Sequence, residues 1–474
     1  MSFARSTLWT MMQRYIPSII HILSTLIITR MLLPSDFGEV ALVVTFYQIS
    51  ILLVSSGLGE GLMYRTHNTE TTYSTVFFLN LIIAVILYLI LFLFSNQIAS
   101  FYGIERISIL TKVIGVNIIV YALSYIQKIQ FQIGGRFKKL AIAALVSSIV
   151  GSVIGIVLAY CGFGVWAIVI QTVLINLIEM LLLWIYSSWK PLFVFSWEEV
   201  KAIIPYSIRI LLNNIVTTIY DNLYSLVLGK VYNSKTLGYY NRMQTVVYFT
   251  TTNFAYSIEM VFFPLLCTRK DNIKDLTQAY EKLIRMATFF VFPLLCLLIV
   301  LAKPVIVLVL TENWIGGVEI LQLLSTAFLM VPVIYINNSY LKILGKTDVL
   351  FYTNLIKKAI GVIILLVSIT YNIRVVCYGI ILYYVLDASI SILCVKKYLG
   401  VQCFSQISFV LPNITINLIC MVLAGAISPL ITNDFLKVMA CSSVFLLLML
   451  LLNKVCSTKE MSLLSVVIKQ IRNK

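Results

Sequence analysis

Charge is scarce in this chain: Asp, Glu, Lys and Arg make up only 11 % of its 474 residues, and histidine occurs twice. Against 60 % hydrophobic residues and a mean hydropathy of +0.98, that scarcity excludes an ordinary soluble globular domain. The nine cysteines form no CxxC pair and no Cys/His run at metal-ligand spacing, so neither a disulfide framework nor a metal site is expected. Long loops are missing too. The longest, Cys267 to Lys282 ("CTRKDNIKDLTQAYEK"), reads as a charged cytoplasmic link too short for a soluble fold. Without a loop domain, any chemistry belongs to the membrane helices, and neither an enzymatic activity nor a cofactor is expected. The opening "MSFARSTLW" has one arginine and no small-residue cleavage site, which marks a first membrane helix and not a signal peptide.

What is present is a series of apolar runs. Stretches of about 20 residues, the length that crosses a bilayer, number about fourteen, from Thr7–Leu32 and Gly38–Leu58 through Ala202–Leu228, Tyr240–Leu266 and Val318–Tyr340 to Phe435–Leu452. The fold expected is therefore an all-α polytopic membrane protein. With the N-terminus inside, twenty-four Lys and Arg residues fall in cytoplasmic segments and eight outside, which places both termini in the cytoplasm. The net charge of +16 is thus mostly a topology signal and calls for no nucleic-acid partner.

The chain also repeats itself. "RMLLPSDFGEV" from Arg30 and "KVYNSKTLGYY" from Lys230 each close a hydrophobic stretch, with a basic residue eight positions before Gly38 or Gly238. The same offset pairs Ser18 with Thr218, His21 with Asp221, and Thr25 with Ser225. A looser match continues to about 400, so the organisation expected is two six-helix lobes, 1–195 and 196–400, in parallel pseudo-twofold repeat, followed by two extra helices and a cytoplasmic tail, 401–474. The two glycines are expected to shape turns at the outer ends of the first and seventh helices.

Polar residues concentrate on a few helices. In the seventh, Arg209, Asn213, Thr217, Asp221 and Ser225 recur every four residues beside Asn214, Thr218 and Asn222, a spacing that makes one face wet. Facing lipid, an Arg or Asp at the bilayer centre would cost about 2.5 to 3.5 kcal/mol. The first helix has a weaker stripe of Arg14, Ser18, His21, Thr25 and Thr29, with Pro17 available to bend it, and the eighth adds Glu259. A central hydrophilic cavity walled by helices one, two, seven and eight follows. Arg14 and Arg209 either snorkel to the cytoplasmic surface or face that cavity; in the cavity, the guanidinium fork suits phosphate. Asn213, Thr217 and Asn222 suit a polyhydroxylated ligand or, equally, helix–helix hydrogen bonds. Asp221, Glu259 and His21 are the candidates for coupling to H⁺ or Na⁺. Glu179 and Asp387, near the inner ends of helices six and twelve, read as interfacial.

Six segments carry a resemblance: "LPSDFGEVAL" from Leu33, "SSGLGEGLM" from Ser55, "TETTYSTVFFLN" from Thr69, "GFGVWAIVIQT" from Gly162, "YDNLYSLVLGKVY" from Tyr220 and "LGYYNRMQ" from Leu237. With these, the chain resembles the bacterial polysaccharide-flippase (Wzx-like) branch of the superfamily that includes the multidrug and toxin extrusion transporters and the lipid II flippase. The resemblance implies a multi-pass protein of the bacterial cytoplasmic (inner) membrane. Its cargo would be an undecaprenyl-diphosphate-linked oligosaccharide repeat unit of O-antigen or another surface polysaccharide, moved outward by alternating access, with a polysaccharide polymerase and a chain-length regulator as further partners. Asp221 and Arg242 lie inside matching segments; Arg14 and Arg209 rest on the polar stripes alone. Glu39 and Glu60 stand beside motif glycines where the family suggests neutral residues, and no role is carried to them. The alternatives are a multidrug/cation antiporter of the same superfamily, which would favour acidic cavity groups, and a membrane-embedded polymerase, which would need the large loop this chain lacks.

Overall fold

A computed structural model describes residues 3–55, 57–65, 68–267 and 272–455, with the backbone alone at a minority of helical positions. Seventeen α-helices account for nearly all of it: α1 (Phe3–Thr29), α2 (Pro34–Ser55), α3 (Leu58–Tyr64), α4 (Glu70–Tyr102), α5 (Arg106–Ile133), α6 (Phe137–Tyr160), α7 (Val165–Tyr186), α8 (Trp197–Val231), α9 (Ser234–Cys267), α10 (Ile273–Val300), α11 (Ala302–Val309), α12 (Val318–Phe328), α13 (Val331–Ile343), α14 (Thr347–Ser368), α15 (Ile373–Leu399), α16 (Cys403–Ile427) and α17 (Asp434–Val455). Among the described residues, twelve spans are long and apolar enough to cross a membrane. The protein is a multi-pass, all-α membrane protein. The long helices α8 and α9, which hold most of the expected polar positions, are additional to those twelve.

Local chemistry sets several boundaries. Thr69 and Thr72 form a reciprocal capping box at the start of α4, each hydroxyl accepting from the other's backbone N–H at 3.1 and 3.2 Å. Gly103 then ends α4 in the left-handed region, at φ 70°. The stretch expected to be a loop from Cys267 to Lys282 is instead helical from Ile273. Asn272 caps that helix, its side-chain oxygen accepting from the N–H groups of Lys274 and Asp275. Its charges conceal an amphipathic pattern: Leu276, Tyr280, Leu283 and Ile284 recur at helical spacing and are all buried. The expected helix Val318–Tyr340 is two pieces, α12 and α13, broken before Pro332, which lies in the first turn of α13.

The chain forms two compact units, 1–238 and 239–474. In the first, a core of Leu58, Leu62, Val76, Phe77, Tyr125, Ile126, Ile129 and Ile203 joins α3, α4, α5 and the start of α8, with Trp184 and Trp189 packed edge-on to Phe77. The segment between α7 and α8 is pinned to α4: Leu192 N–H donates to Ser74 Oγ at 3.0 Å and Ser196 N–H to Thr75 Oγ1 at 3.1 Å. Arg65 and Glu199 add an ion pair at the same end of α8.

Gly38 and Gly238 do not shape turns. Both are helical, one turn into α2 and α9, and they meet. A β-carbon on Gly38 would collide with the carbonyl of Ser234, and one on Gly238 with the carbonyl of Pro34. Each would also come within 3.1 or 3.2 Å of the other glycine's nitrogen. Only a residue without a side chain lets the two backbones approach this closely.

In the second unit, buried Tyr280 donates to Asn337 Oδ1 at 2.7 Å, with Gln406 Oε1 at 2.9 Å, and Asn337 donates on to Ser391 at 3.1 Å. This polar node ties together α10, α13, α15 and α16. On α17 one face, Cys441, Phe445 and Met449, packs on α16, while Leu446, Leu447, Leu450 and Leu451 remain exposed, as a lipid-facing helix requires.

Candidate functional site

The first unit contains a pocket of about 350 Å³ where α1, α6 and α7 come together. From α1 it takes Pro17, Ser18, His21 and Ile22; from α6, Ala144, Ser147 and Ser148; from α7, Ile175 and Glu179. Its size falls within the range of small-molecule sites. Two hydrogen-bonding hydroxyl-bearing helices and one carboxylate face a largely apolar wall.

Small residues on α6 make the pocket possible. Gly151 and Gly155 are one turn apart, and the side chains of Ile175 and Gln171 on α7 fill the spaces where their β-carbons would be. That close approach brings Gln171 into the interior, where its amide donates to Ser24 of α1 at 2.9 Å and to Ser152 of α6 at 3.3 Å. One buried side chain thereby ties the three pocket helices together. Interhelical hydrogen bonds in membranes are worth about 0.6 kcal/mol each, so the node fixes geometry more than it adds stability.

Glu179 gives the pocket its charge. Lys128 of α5 holds it at 2.9 Å. One turn earlier on α7, Asn176 donates to the Tyr47 hydroxyl of α2 at 3.3 Å. His21 is exposed at the pocket wall; its carbonyl accepts from Ser24 and Thr25, and its Nδ1 lies 3.5 Å from the Thr25 hydroxyl.

Of the residues singled out by sequence, Ser18 and His21 of the α1 stripe line the pocket together with Pro17 and Glu179, while Ser147 and Ser148 were not expected there. Glu179 and Asp387, read as interfacial, are both ion-paired to lysines of other helices: Lys357 of α14 reaches Asp387 of α15 at 2.7 Å. The two acids are 208 positions apart, close to the repeat offset, and each has a lysine from a different helix. A signal was available in that spacing. Thr217, Asp221 and Asn222 share α8; Asn222 donates to the Thr218 carbonyl at 2.9 Å, and Asp221 is exposed. The side chains of Arg14, Arg209, Asn213 and Glu259 lie outside the described residues. Arg242, inside a motif segment, is buried on α9.

Glu39, which carried no expected role, is buried and shares Arg106 with Asp36: Arg106 lies 3.0 Å from Glu39 and 3.4 Å from Asp36. The arginine supplies the charge that two carboxylates beside a membrane helix need. Among the described residues no cluster of His, Cys, Asp and Glu could hold a metal ion.

Bundled membrane helices with a polar pocket walled by three of them give this chain a fold shared with known flippases and multidrug exporters. The chain superposes on the lipid II flippase MurJ in its inward closed conformation with a TM-score of 0.77, at 13 % identity, over 95 % of this chain and 98 % of that one. An inward-facing multidrug resistance transporter of the MATE family gives 0.61 at 15 % identity, over 83 % and 98 %. The sequence profile of the family described as "Polysaccharide biosynthesis protein" matches residues 27–319, and the chain belongs to that family. Similar curated proteins are the succinoglycan biosynthesis transport protein ExoT of Rhizobium meliloti (strain 1021), 25 % identical over 70 % of this chain and 67 % of that one. The teichuronic acid biosynthesis protein TuaB of Bacillus subtilis (strain 168) is 24 % identical over 73 % and 72 %. The lipopolysaccharide biosynthesis protein WzxC of Escherichia coli (strain K12) is 21 % identical over 70 % and 68 %.

Proposed function

We propose that the protein carries a lipid-linked oligosaccharide, an undecaprenyl-diphosphate-bound repeat unit of a surface polysaccharide, from the inner to the outer leaflet of the bacterial cytoplasmic membrane by alternating access. The observation that carries the reading is the α1/α6/α7 pocket, lined by Ser18, His21, Ser147, Ser148 and Glu179, in a chain of the polysaccharide biosynthesis family. Hydroxyl, imidazole and carboxylate groups match the alternating donors and acceptors of a sugar, and the apolar wall fits its carbon face. The diphosphate falls to Arg14 and Arg209, with Asn213, Thr217 and Asn222 alongside, while the polyprenyl tail stays in lipid. An inside-negative potential of about 100 mV favours outward passage of negative charge by about 2.3 kcal/mol per elementary charge. Asp221, Glu259 and His21 are the groups through which H⁺ or Na⁺ exchange would be coupled.

The test is translocation in proteoliposomes: purified protein, an undecaprenyl-diphosphate oligosaccharide in one leaflet, and a membrane-impermeant lectin or glycosidase that reports its arrival in the other. Protein-dependent arrival, lost in Arg209→Ala at equal protein content, supports the reading. Translocation at the protein-free rate, or full activity of Arg209→Ala, refutes the transport or the role of Arg209, respectively.

A further inference from the structure

The repeat that organises the sequence also meets itself in space. Pro34 and Gly38 begin α2; Ser234 and Gly238, each 200 positions later, begin α9. The contacts are reciprocal: Gly38 lies on the carbonyl of Ser234, and Gly238 on the carbonyl of Pro34. Such exchange of equivalent partners is the signature of a two-fold axis through the contact, and here both copies come from one chain. The helix starts on either side are built from two halves of one capping device. In the first copy the side chain at 36 accepts from the backbone N–H at 33, Asp36 from Leu33 at 3.2 Å; in the second the side chain at 233 accepts from the N–H at 236, Asn233 from Thr236 at 2.8 Å. Both ends are thus held rigid up to the glycines. One turn deeper, the same closure continues with side chains, as Leu42 of α2 fills the space left by Gly229 of α8 and is itself fully buried.

We infer that this glycine crossing is the outer closure of the transport path, and that α2 and α9 must part at Gly38 and Gly238 for cargo to leave. The inference rests on the orientation proposed above, which puts this end of both helices outside. A backbone-on-backbone contact has no long side chains to rearrange, so it is made fully or broken fully, as a two-state element requires. It also gives up little when broken, because Cα–H···O contacts are weak next to ordinary hydrogen bonds. A side chain at either glycine wedges it open.

The experiment places a reporter cysteine beneath the crossing, Leu42→Cys, in the full-length protein in cell membranes and labels it from outside with a membrane-impermeant maleimide. The same proteins without the added cysteine give the background from native thiols. With both glycines intact, labelling stays near background; Gly38→Ala and Gly238→Ala should each raise it several-fold and to a similar extent, whereas Gly425→Ala, where a β-carbon meets nothing within 4 Å, should not. Unchanged labelling in both crossing variants at normal membrane abundance overturns the inference. A second arm does not depend on tolerance of the added methyl groups. Cysteines at the equivalent positions Ser35 and Lys235, bridged by a reducible bis-thiosulfonate, should stop translocation and release it on reduction; a bridged protein that still translocates overturns the closure. Failure of the unmodified protein to translocate any lipid-linked saccharide refutes the cargo reading, while the labelling result stands by itself.

Discussion

Lys128 reaches across from α5 to hold Glu179 of α7 at 2.9 Å, at the wall of the pocket to which Ser18 and His21 of the α1 polar stripe contribute. Removing one partner of such a pair leaves a charge that has lost its compensation, while replacing both leaves none. Glu179→Gln should therefore lower both translocation, by tenfold or more, and thermal stability in detergent. The Lys128→Met/Glu179→Met protein should regain stability and remain inactive. If the double variant transports normally, Glu179 serves packing alone.

Filling the pocket is a separate test that leaves every charge in place. Ala144 is half-buried on the α6 wall, and Ala144→Phe adds an aromatic ring where the sugar is proposed to lie. Membrane abundance should change little, and transport should fall most for bulky repeat units. Equal losses for small and large saccharides would show that the pocket does not hold the head group.

Packing of α6 on α7 depends on Gly151, where an added methyl group would meet Ile175, including its backbone nitrogen at 3.2 Å. Overpacking of this kind costs about 1–3 kcal/mol. Gly151→Ala should lower the apparent melting temperature in detergent by several degrees, and adding Ile175→Val or Ile175→Ala should recover part of it. A melting temperature equal to that of the unaltered protein would mean that the two helices separate at no cost.

The second unit offers a stability test at residues given no part in cargo binding. Lys357 is 3 % exposed and faces Asp387 at 2.7 Å. Breaking a buried pair costs about 3–5 kcal/mol, so Lys357→Met alone should sharply reduce the folded, membrane-extracted yield. Lys357→Met with Asp387→Leu should restore it. Loss in the double variant equal to that in the single one would show that the ions do more than neutralise each other.

Much of this was legible from composition and periodicity, because a bilayer imposes one requirement on every span. The apolar runs located the helices, and the polar stripe found His21. Patterns that cross between helices were harder to see. Gln171, Ser24 and Ser152 are unremarkable in three separate runs and become one node only after Gly151 and Gly155 admit α7. The start of α10 was hidden by lysines and acids that occupy its exposed side. The partners of Glu179 and Asp387 were not legible because their lysines come from other helices. The glycine repeat was visible, but one-dimensional spacing suggested turns, and only the fold showed that its two copies touch.

The hydrogen bonds that Leu192 and Ser196 donate to Ser74 and Thr75, holding the segment before α8, have an angular consequence. With the start of α8 clamped to α4, the direction faced by Thr217, Asp221 and Asn222 is set by the number of residues between clamp and row. Each residue turns the helix by about 100°. A single deletion between Ser196 and Thr217 would keep every polar group and rotate all of them away from their present bearing, so the chain length of that interval is itself a functional parameter.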